Sequence, residues 1–364
     1  MSSTWGNHIK LSIFGGSHTE AIGVVIDGLP AGETIDFDAV LSQMARRAPG
    51  RDKSSTPRKE SDTPHILSGL LDGVLTGAPL AAVIENTNTR SKDYSELKVH
   101  PRPGHADYTA SVRYKNANDI RGGGHFSGRL TACMVFAGAV CRQLLEKRGV
   151  VIGGHVLSVG SVQDERFDPV NVSKEELSDL SRRYFPVRGE SVEEAMREEI
   201  ESARMAQDSI GGVVECAAVG MPAGIGSPMF GGVENRLASA LFGIPAVKGV
   251  EFGDGFAAAR AHGSENNDPF IMEGGRVAAE TNHAGGILGG ITNGMPVVLR
   301  TAMKPTPSIA RPQRTVSLSA GADTELVIHG RHDPCIAHRA VPVVEAVTAA
   351  VLLDLLLEGN HGTF

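Results

Sequence analysis

The chain has 364 residues, 41% of them hydrophobic and 21% charged, a balance that excludes intrinsic disorder and provides for a substantial buried core. Its 44 glycines and 19 prolines exceed the usual share of about 12% without any repeating period, so a fold rich in tight turns is expected. The net charge of −7 argues against nucleic acid or an anionic membrane as partner of the chain as a whole, and leaves anion binding to a local basic cluster.

Cys133, Cys141, Cys216 and Cys335 are scattered, with neither C-x-x-C nor zinc-ligand spacing, so no disulfide scaffold and no metal site is expected, and a reducing cytoplasm suits them. The first residues, MSSTWGNHIKLSIFGG, lack a basic region followed by an apolar one, so no secretory signal is expected. The most apolar long stretch, 341–357, carries Glu345 and Asp354 and reads as too short to span a membrane. No linker of Ser, Gly or Pro divides the sequence, and a single soluble domain covering 1–364 is expected.

In chain order, HIKLSIFGG reads as a strand ending at a glycine turn, and IGVVIDGLPAG as a second strand ending in a Gly/Pro turn. The spacing of Val40, Leu41 and Met44 predicts a helix from Phe37 to Arg47 capped by Asp36. Arg46, Arg47, Arg51, Lys53, Arg58 and Lys59 then stand against the lone Asp52, a net of +5 in fourteen residues. A helix of small and apolar residues follows over 127–147, with Ser127 as a candidate cap. Ser173 with Glu176 and Ser191 with Glu194 match capping boxes, the second opening a charged helix that runs to about Ala206. Residues 232–242 read as a helix and 246–252 as a strand. The final helix, expected over 342–358, is apolar on nearly all sides and therefore deeply packed or at a subunit contact. Helices and short strands mingle throughout, which indicates an α+β fold.

Four segments combine polar groups with glycines beyond what packing requires. Gly15-Gly16-Ser17-His18 presents a hydroxyl and an imidazole at a strand end; either an incidental turn histidine or a functional one fits. The loop from Arg102 to Tyr108 sets Arg102, His105, Asp107 and Tyr108 on a backbone stiffened by Pro103 and Gly104, and a histidine there can exchange protons near neutral pH. The stretch from Arg121 to Arg129 runs a triple glycine toward a helix, where backbone N–H groups suit an anion or a cofactor phosphate. It is neither a Walker loop nor a dinucleotide fingerprint, because Ser127 stands where the last Gly would be. Gly330-Arg331-His332-Asp333-Pro334 places cation, imidazole and carboxylate side by side; a charged turn and a site both fit. Between these lie the turns 282–290 and 304–308, whose amides and hydroxyls suit a planar polar ligand. The basic segment reads as a solvated loop, a nucleic-acid contact or a small-anion clamp. The acidic net charge and the lack of interleaved aromatics disfavour nucleic acid, and arginine suits a phosphate in a closed site.

GGSHTEAIGVVIDGLP, RPGHADYT, RGGGHFSGR, DSIGGVVE, NHAGGILGG, KPTPS and GRHDPCIAHRAVPVVEA, in this order and at these distances, resemble the chorismate synthase family from about Ile9 to Leu357, and by length its monofunctional form. The resemblance implies a β-α-β sandwich with helices between antiparallel sheets and a homotetramer. It also implies an anti-1,4-elimination that converts 5-enolpyruvylshikimate 3-phosphate to chorismate with reduced FMN (FMNH2), without net redox change, the flavin being reduced by an external source. His18 matches the histidine that protonates the departing phosphate, and His105 the one that faces the flavin and steadies its reduced anionic form. Asp333 matches the aspartate that acts through the flavin N5 position in taking the ring proton. Arg46, Arg47 and Lys53 match the segment contacting substrate phosphate and NADP; Arg129, Arg331 and Arg339 match arginines near substrate or flavin. FMN contacts are implied for His125, Phe126, Ser127, Ala246, Gly289, Lys304, Pro305, Thr306, Pro307, Ser308 and Arg331. The sequence departs from the family's R-S-S-A-R-E-T-A in reading His125-Phe126-Ser127-Gly128-Arg129-Leu130-Thr131-Ala132. It also carries Gly16, Lys53 and Pro245 where an acid, an arginine and a polar residue are common. The other readings are an NAD(P)H:flavin reductase, disfavoured by the missing dinucleotide fingerprint, and a flavin- or anion-binding regulatory protein without catalysis.

Overall fold

The computed structural model describes residues 3–50, 62–87, 96–328 and 332–359. Two five-stranded, wholly antiparallel sheets frame it. In the first, Thr4–Trp5, Lys10–Gly15, Ala21–Asp27, Leu80–Glu85 and His65–Ser68 lie side by side in that order. In the second the order is Val247–Phe252, Val297–Met303, Gly212–Val219, Val151–Val159 and Val162–Gln163. Both strands expected at the start of the chain are therefore present and are neighbours.

Helices fill the space between the sheets. Phe37–Arg47 begins where Asp36 accepts from the amides of Asp38 and Ala39, as the cap spacing required. The helix Thr131–Glu146 is buried along almost its whole length, because Ala, Gly, Val and Cys let it lie close to its neighbours. The C-terminal helix, Ala337–Glu358, starts five residues earlier than the expected 342, with Pro342 inside its first turns. At that length it is apolar and long enough to cross a membrane, which corrects the sequence expectation, but 94% of its apolar window is buried inside the protein. Its two acids serve as internal anchors: Glu345 binds Arg46 and the amide of Gly154, while Asp354 accepts from the amides of His8 and Ile9 at 2.8 and 2.6 Å. Each buried carboxylate is thus hydrogen-bonded, as burial of a charge demands.

The charged helix spans Glu190–Met205 with Gly189 at its cap position, so Ser191 is not the cap that its spacing suggested. Ser173 does cap its helix, accepting from the amide of Glu176 at 3.0 Å, although the Glu176 side chain turns to Arg188. All four cysteines are free and buried.

Candidate active site

A cavity of about 770 Å³ lies where loops from distant parts of the chain converge, within the range of about 300–1,000 Å³ typical of small-molecule and cofactor sites. His18, His105 and Asp333 all line it, as do Arg47, Arg129 and Arg339 and the backbone around Ala246. His125, Phe126, Ser127, Lys304, Thr306, Pro307 and Ser308 are also in its wall.

The 304–308 segment holds these loops together. Lys304 Nζ donates to the Gly104 carbonyl at 2.6 Å, and Thr306 Oγ1 to the Asp333 carbonyl at 2.6 Å. Ser308 Oγ accepts from Arg102 Nη1 at 3.1 Å. One Pro-stiffened stretch therefore fixes the loops that carry His105 and Asp333. Proline at 305 and 307 limits the backbone's freedom, and Pro305 itself does not line the cavity.

His105 Nδ1 lies 2.6 Å from Asp107 Oδ1. The same carboxylate accepts from Arg102 Nε and Nη2 at 2.7 and 2.8 Å. Arg102 Nη2 also lies 3.1 Å from Nδ1, but the ionised Asp107 can only accept at the shorter 2.6 Å contact, which assigns the proton to Nδ1 and leaves Nε2 without it. Burial would raise the Asp107 carboxyl, but the hydrogen bonds from Arg102 and His105 outweigh it and hold the group far below the usual carboxylate range.

His18 is 8% exposed, and its Nδ1 lies 2.9 Å from Ser17 Oγ. The Ser17 hydroxyl has one proton and two carbonyls in reach, those of Arg121 and Gly122 at 3.1 and 3.0 Å, which assigns His18 Nδ1 as the donor to Ser17. Gly122 is required here: its φ is 59°, and a Cβ would stand 2.3 Å from the His18 ring. The triple glycine thus makes room for the histidine. Regular helix resumes only at Thr131, after a short turn capped by Ser127, which accepts from the Arg129 amide at 3.3 Å.

The arginines form a linked wall. Arg339 donates Nη1 to Asp333 Oδ2 at 2.7 Å and Nε to the Arg47 carbonyl at 2.9 Å. Arg47 and Arg129 both bind the buried Asp62. Burial would raise the Asp62 carboxyl, but the two arginines overcome it and lower it. Burial presses Arg47 below its usual value; Asp62 opposes this, while Arg339 and Arg129 add to it.

Among the other expected residues, Arg46, Gly289 and His283 stand away from the cavity, while His125 and Phe126 line it but are engaged by other groups. Arg46 turns away from the cavity into a buried pair with Glu345, at 2.5 and 3.1 Å, because adjacent helical residues point about 100° apart. Gly289 does not line the cavity. The turn that contains it is closed on itself by Asn282, which accepts from the Gly286 amide and donates to the Pro169 and Pro296 carbonyls. His283 pairs with Asp268 at 3.0 Å, also away from the cavity. His125 is committed at both ring nitrogens, Nδ1 to the Gly15 carbonyl at 2.7 Å and Nε2 to Ser3 Oγ at 2.6 Å; it pins the glycine turn to the first sheet. Phe126 packs near Tyr114, ring centroids 6.2 Å apart. Lys53 and Arg331, with Arg51, Arg58 and Lys59, lie outside the described residues.

Sequence reasoning passed over Asp62 and assigned no roles to Ser17, Arg102, Asp107 and His332. His332 lines the cavity, and its Nε2 is buried without a hydrogen-bond partner among the described residues. Burial, reinforced by Arg102, brings its pKa down to about 4, so it is neutral at pH 7. Its place between a cation and Asp333 in the sequence was the available signal. Ala246 adopts φ 78° in the wall, a region a residue with a Cβ rarely occupies and one that concentrates at functional sites.

The residues fit a flavin. The cavity has the volume, Gly104, Gly122, Gly128 and Gly243 in its wall, and Lys248 and Lys304 as cations for a phosphate.

A family model described as chorismate synthase matches residues 9–357. A chorismate synthase of Thermococcus kodakarensis is 47% identical over 352 residues, covering 97% of each chain. One of Dehalococcoides mccartyi is 44% identical over 360 residues, 99% of this chain and 98% of its own. A crystal structure of chorismate synthase superposes with a TM-score of 0.77 at 29% identity, covering 99% of this chain and 95% of the other.

Proposed function

The chain belongs to the chorismate synthase family and is a phosphate lyase of that kind, and from that premise we propose that this cavity converts 5-enolpyruvylshikimate 3-phosphate to chorismate by anti-1,4-elimination with reduced FMN. The observation that carries the reading is the convergence of His18, His105 and Asp333 from three distant segments onto one arginine-walled cavity.

The substrate is an anion with a phosphate to lose, and the wall meets it with Arg47, Arg129 and Arg339, which stay charged when buried. His18 holds its Nδ1 proton toward Ser17, so the proton it gives to the departing phosphate comes from Nε2. Asp333 receives the ring proton, and Arg339 at 2.7 Å holds that carboxylate in place. Bound reduced FMN supplies electron density to a C–O bond that acid–base chemistry alone does not break. His105, fixed by Asp107, faces the flavin pocket, and Lys304 and Lys248 at the rim suit the cofactor phosphate. The buried walls exclude water and strengthen each of these charges.

Exposed Met229, Phe230, Phe256 and Phe270 offer apolar surface for a homotetramer. In this reading the enzyme works in the cytoplasm with flavin reduced by an external source, as the resemblance to the monofunctional form implies; NADP stays attached to the 46–53 segment by resemblance alone. The test is an anaerobic assay of chorismate formation with and without reduced FMN, alongside NADPH consumption with oxidised FMN. Chorismate only with reduced FMN, and no steady NADPH consumption, is expected. Flavin bound without product overturns the reading, and sustained NADPH oxidation favours a flavin reductase.

A further inference from the structure

Asp62 is fully buried, and its two oxygens are divided between two arginines, Oδ2 to Arg47 and Oδ1 to Arg129. Arg47 and Arg129 both line the cavity, whereas Asp62 does not. The carboxylate therefore sits behind the arginines and does not compete with a ligand for the open side.

The remaining contacts fix both forks. Arg47 Nε donates to Thr131 Oγ1 at 3.1 Å and Nη2 to the Gly128 carbonyl at 3.4 Å. Arg129 Nε donates to Asn86 Oδ1 at 3.0 Å and Nη2 to the Glu85 carbonyl at 3.1 Å. Two like charges side by side in a buried wall repel and would splay apart without a shared counter-charge. One carboxylate between two guanidiniums also leaves the cluster with a net +1 on its cavity side. The backbone at Asp62 stands at φ 50°, an unfavourable left-handed conformation that Asp tolerates better than most residues, so the chain bends locally to place this carboxylate.

We infer that Asp62 is the positioning residue of a two-arginine clamp, holding Arg47 and Arg129 in the separation and orientation that grips a phosphate monoester. The inference rests on the proposed substrate for its biological ligand, but the clamp's preference for phosphate is measurable without turnover.

The experiment uses the full chain and inorganic phosphate, followed by calorimetric titration, with thermal melting as the control for folding and KM and kcat for the substrate as the second readout. Asp62→Asn removes a negative charge and raises the cluster from a net +1 to +2, so simple electrostatics predicts tighter phosphate binding, and a positioning role predicts the opposite. The expected result is phosphate binding weakened about tenfold or more, the scale of a disordered buried charge pair, with KM raised by a similar factor and kcat changed much less. A folded D62N protein that binds phosphate as well as wild type, or better, overturns the inference. Should D62N fail to fold, Asp62→Glu keeps the charge and displaces the carboxylate by one methylene; phosphate binding weakened about threefold or more is expected, and wild-type affinity overturns the inference. Loss of chorismate formation in the wild-type protein while its phosphate binding still depends on Asp62 separates a failed substrate assignment from a failed clamp.

Discussion

Asp107 Oδ1 lies 2.6 Å from His105 Nδ1, and the same carboxylate carries Arg102 on both of its oxygens. This pair sets which imidazole nitrogen faces the cavity, because the proton on Nδ1 is committed to Asp107. Asp107→Asn removes the charge and offers an amide that can donate as well as accept. Nitrogen NMR is expected to show the Nδ1–H tautomer of His105 dominant in the wild type and a mixture in D107N, with kcat falling about 10–100-fold. An unchanged tautomer in D107N would show that other contacts orient the ring.

The residues proposed to face the flavin and take the ring proton are expected to carry a larger effect. His105→Ala and Asp333→Ala are each expected to slow turnover by about 10²-fold or more, the scale of a lost general acid or base. Steady-state kinetics checks both, and an unchanged rate removes the corresponding assignment.

Arg339 joins Asp333 to the backbone of Arg47, through 2.7 and 2.9 Å hydrogen bonds from two different nitrogens. Lysine keeps the charge but cannot make both bonds at once in that planar geometry. Arg339→Lys is therefore expected to recover little of the activity lost in Arg339→Ala, with each at least about tenfold below wild type in kcat/KM. Near-complete activity in R339K would reduce Arg339 to a point charge.

His332 gives a pH signature. Burial and nearby Arg102 bring its pKa from 6.5 to about 4 in the folded state. Between those values the unfolded chain binds the extra proton, so stability held by neutral His332 is fully present above about 6.5 and is lost as the pH falls toward 4. Melting temperatures at pH 7 and pH 5 should fall more in the wild type than in His332→Asn. Equal falls would show that the ring is not held neutral.

Much of this fold could be read from local pattern. Asp36 before an apolar face placed the helix Phe37–Arg47 correctly, because capping and periodicity are both local. Ser191 misled because Gly189 offers an equally good extended entry two residues earlier, and the C-terminal helix begins before Pro342 because buried packing carries it through the proline. The site shows the same division. His18, His105 and Asp333 stand in dense polar loops that resemble a family, and the fold brings them together. Asp62 ends a long polar run and nothing local marks it; its role comes only from two arginines that approach from 15 and 67 residues away. Arg46 and Arg47 look alike in sequence, and only the direction of each side chain on the helix separates the buried pair from the cavity wall.

The helix core offers a stability test. Gly138 faces Ala346 so closely that an added Cβ would stand 2.2 Å from its Cα and Cβ. Alanine is the better helix former by about 1 kcal/mol, but overpacking costs about 1–3 kcal/mol, and here the obstacle includes backbone, so the clash outweighs the propensity. Gly138→Ala is expected to lower the melting temperature by at least about 2 °C; a rise would show that the two helices separate easily.

The most direct test of the central claim is one anaerobic turnover of 5-enolpyruvylshikimate 3-phosphate by the protein loaded with reduced FMN, with flavin absorbance and chorismate followed together. The account predicts about one chorismate per site and a flavin that ends as reduced as it began. Bound flavin with no chorismate, or chorismate formed only with matching net oxidation of the flavin, would contradict it.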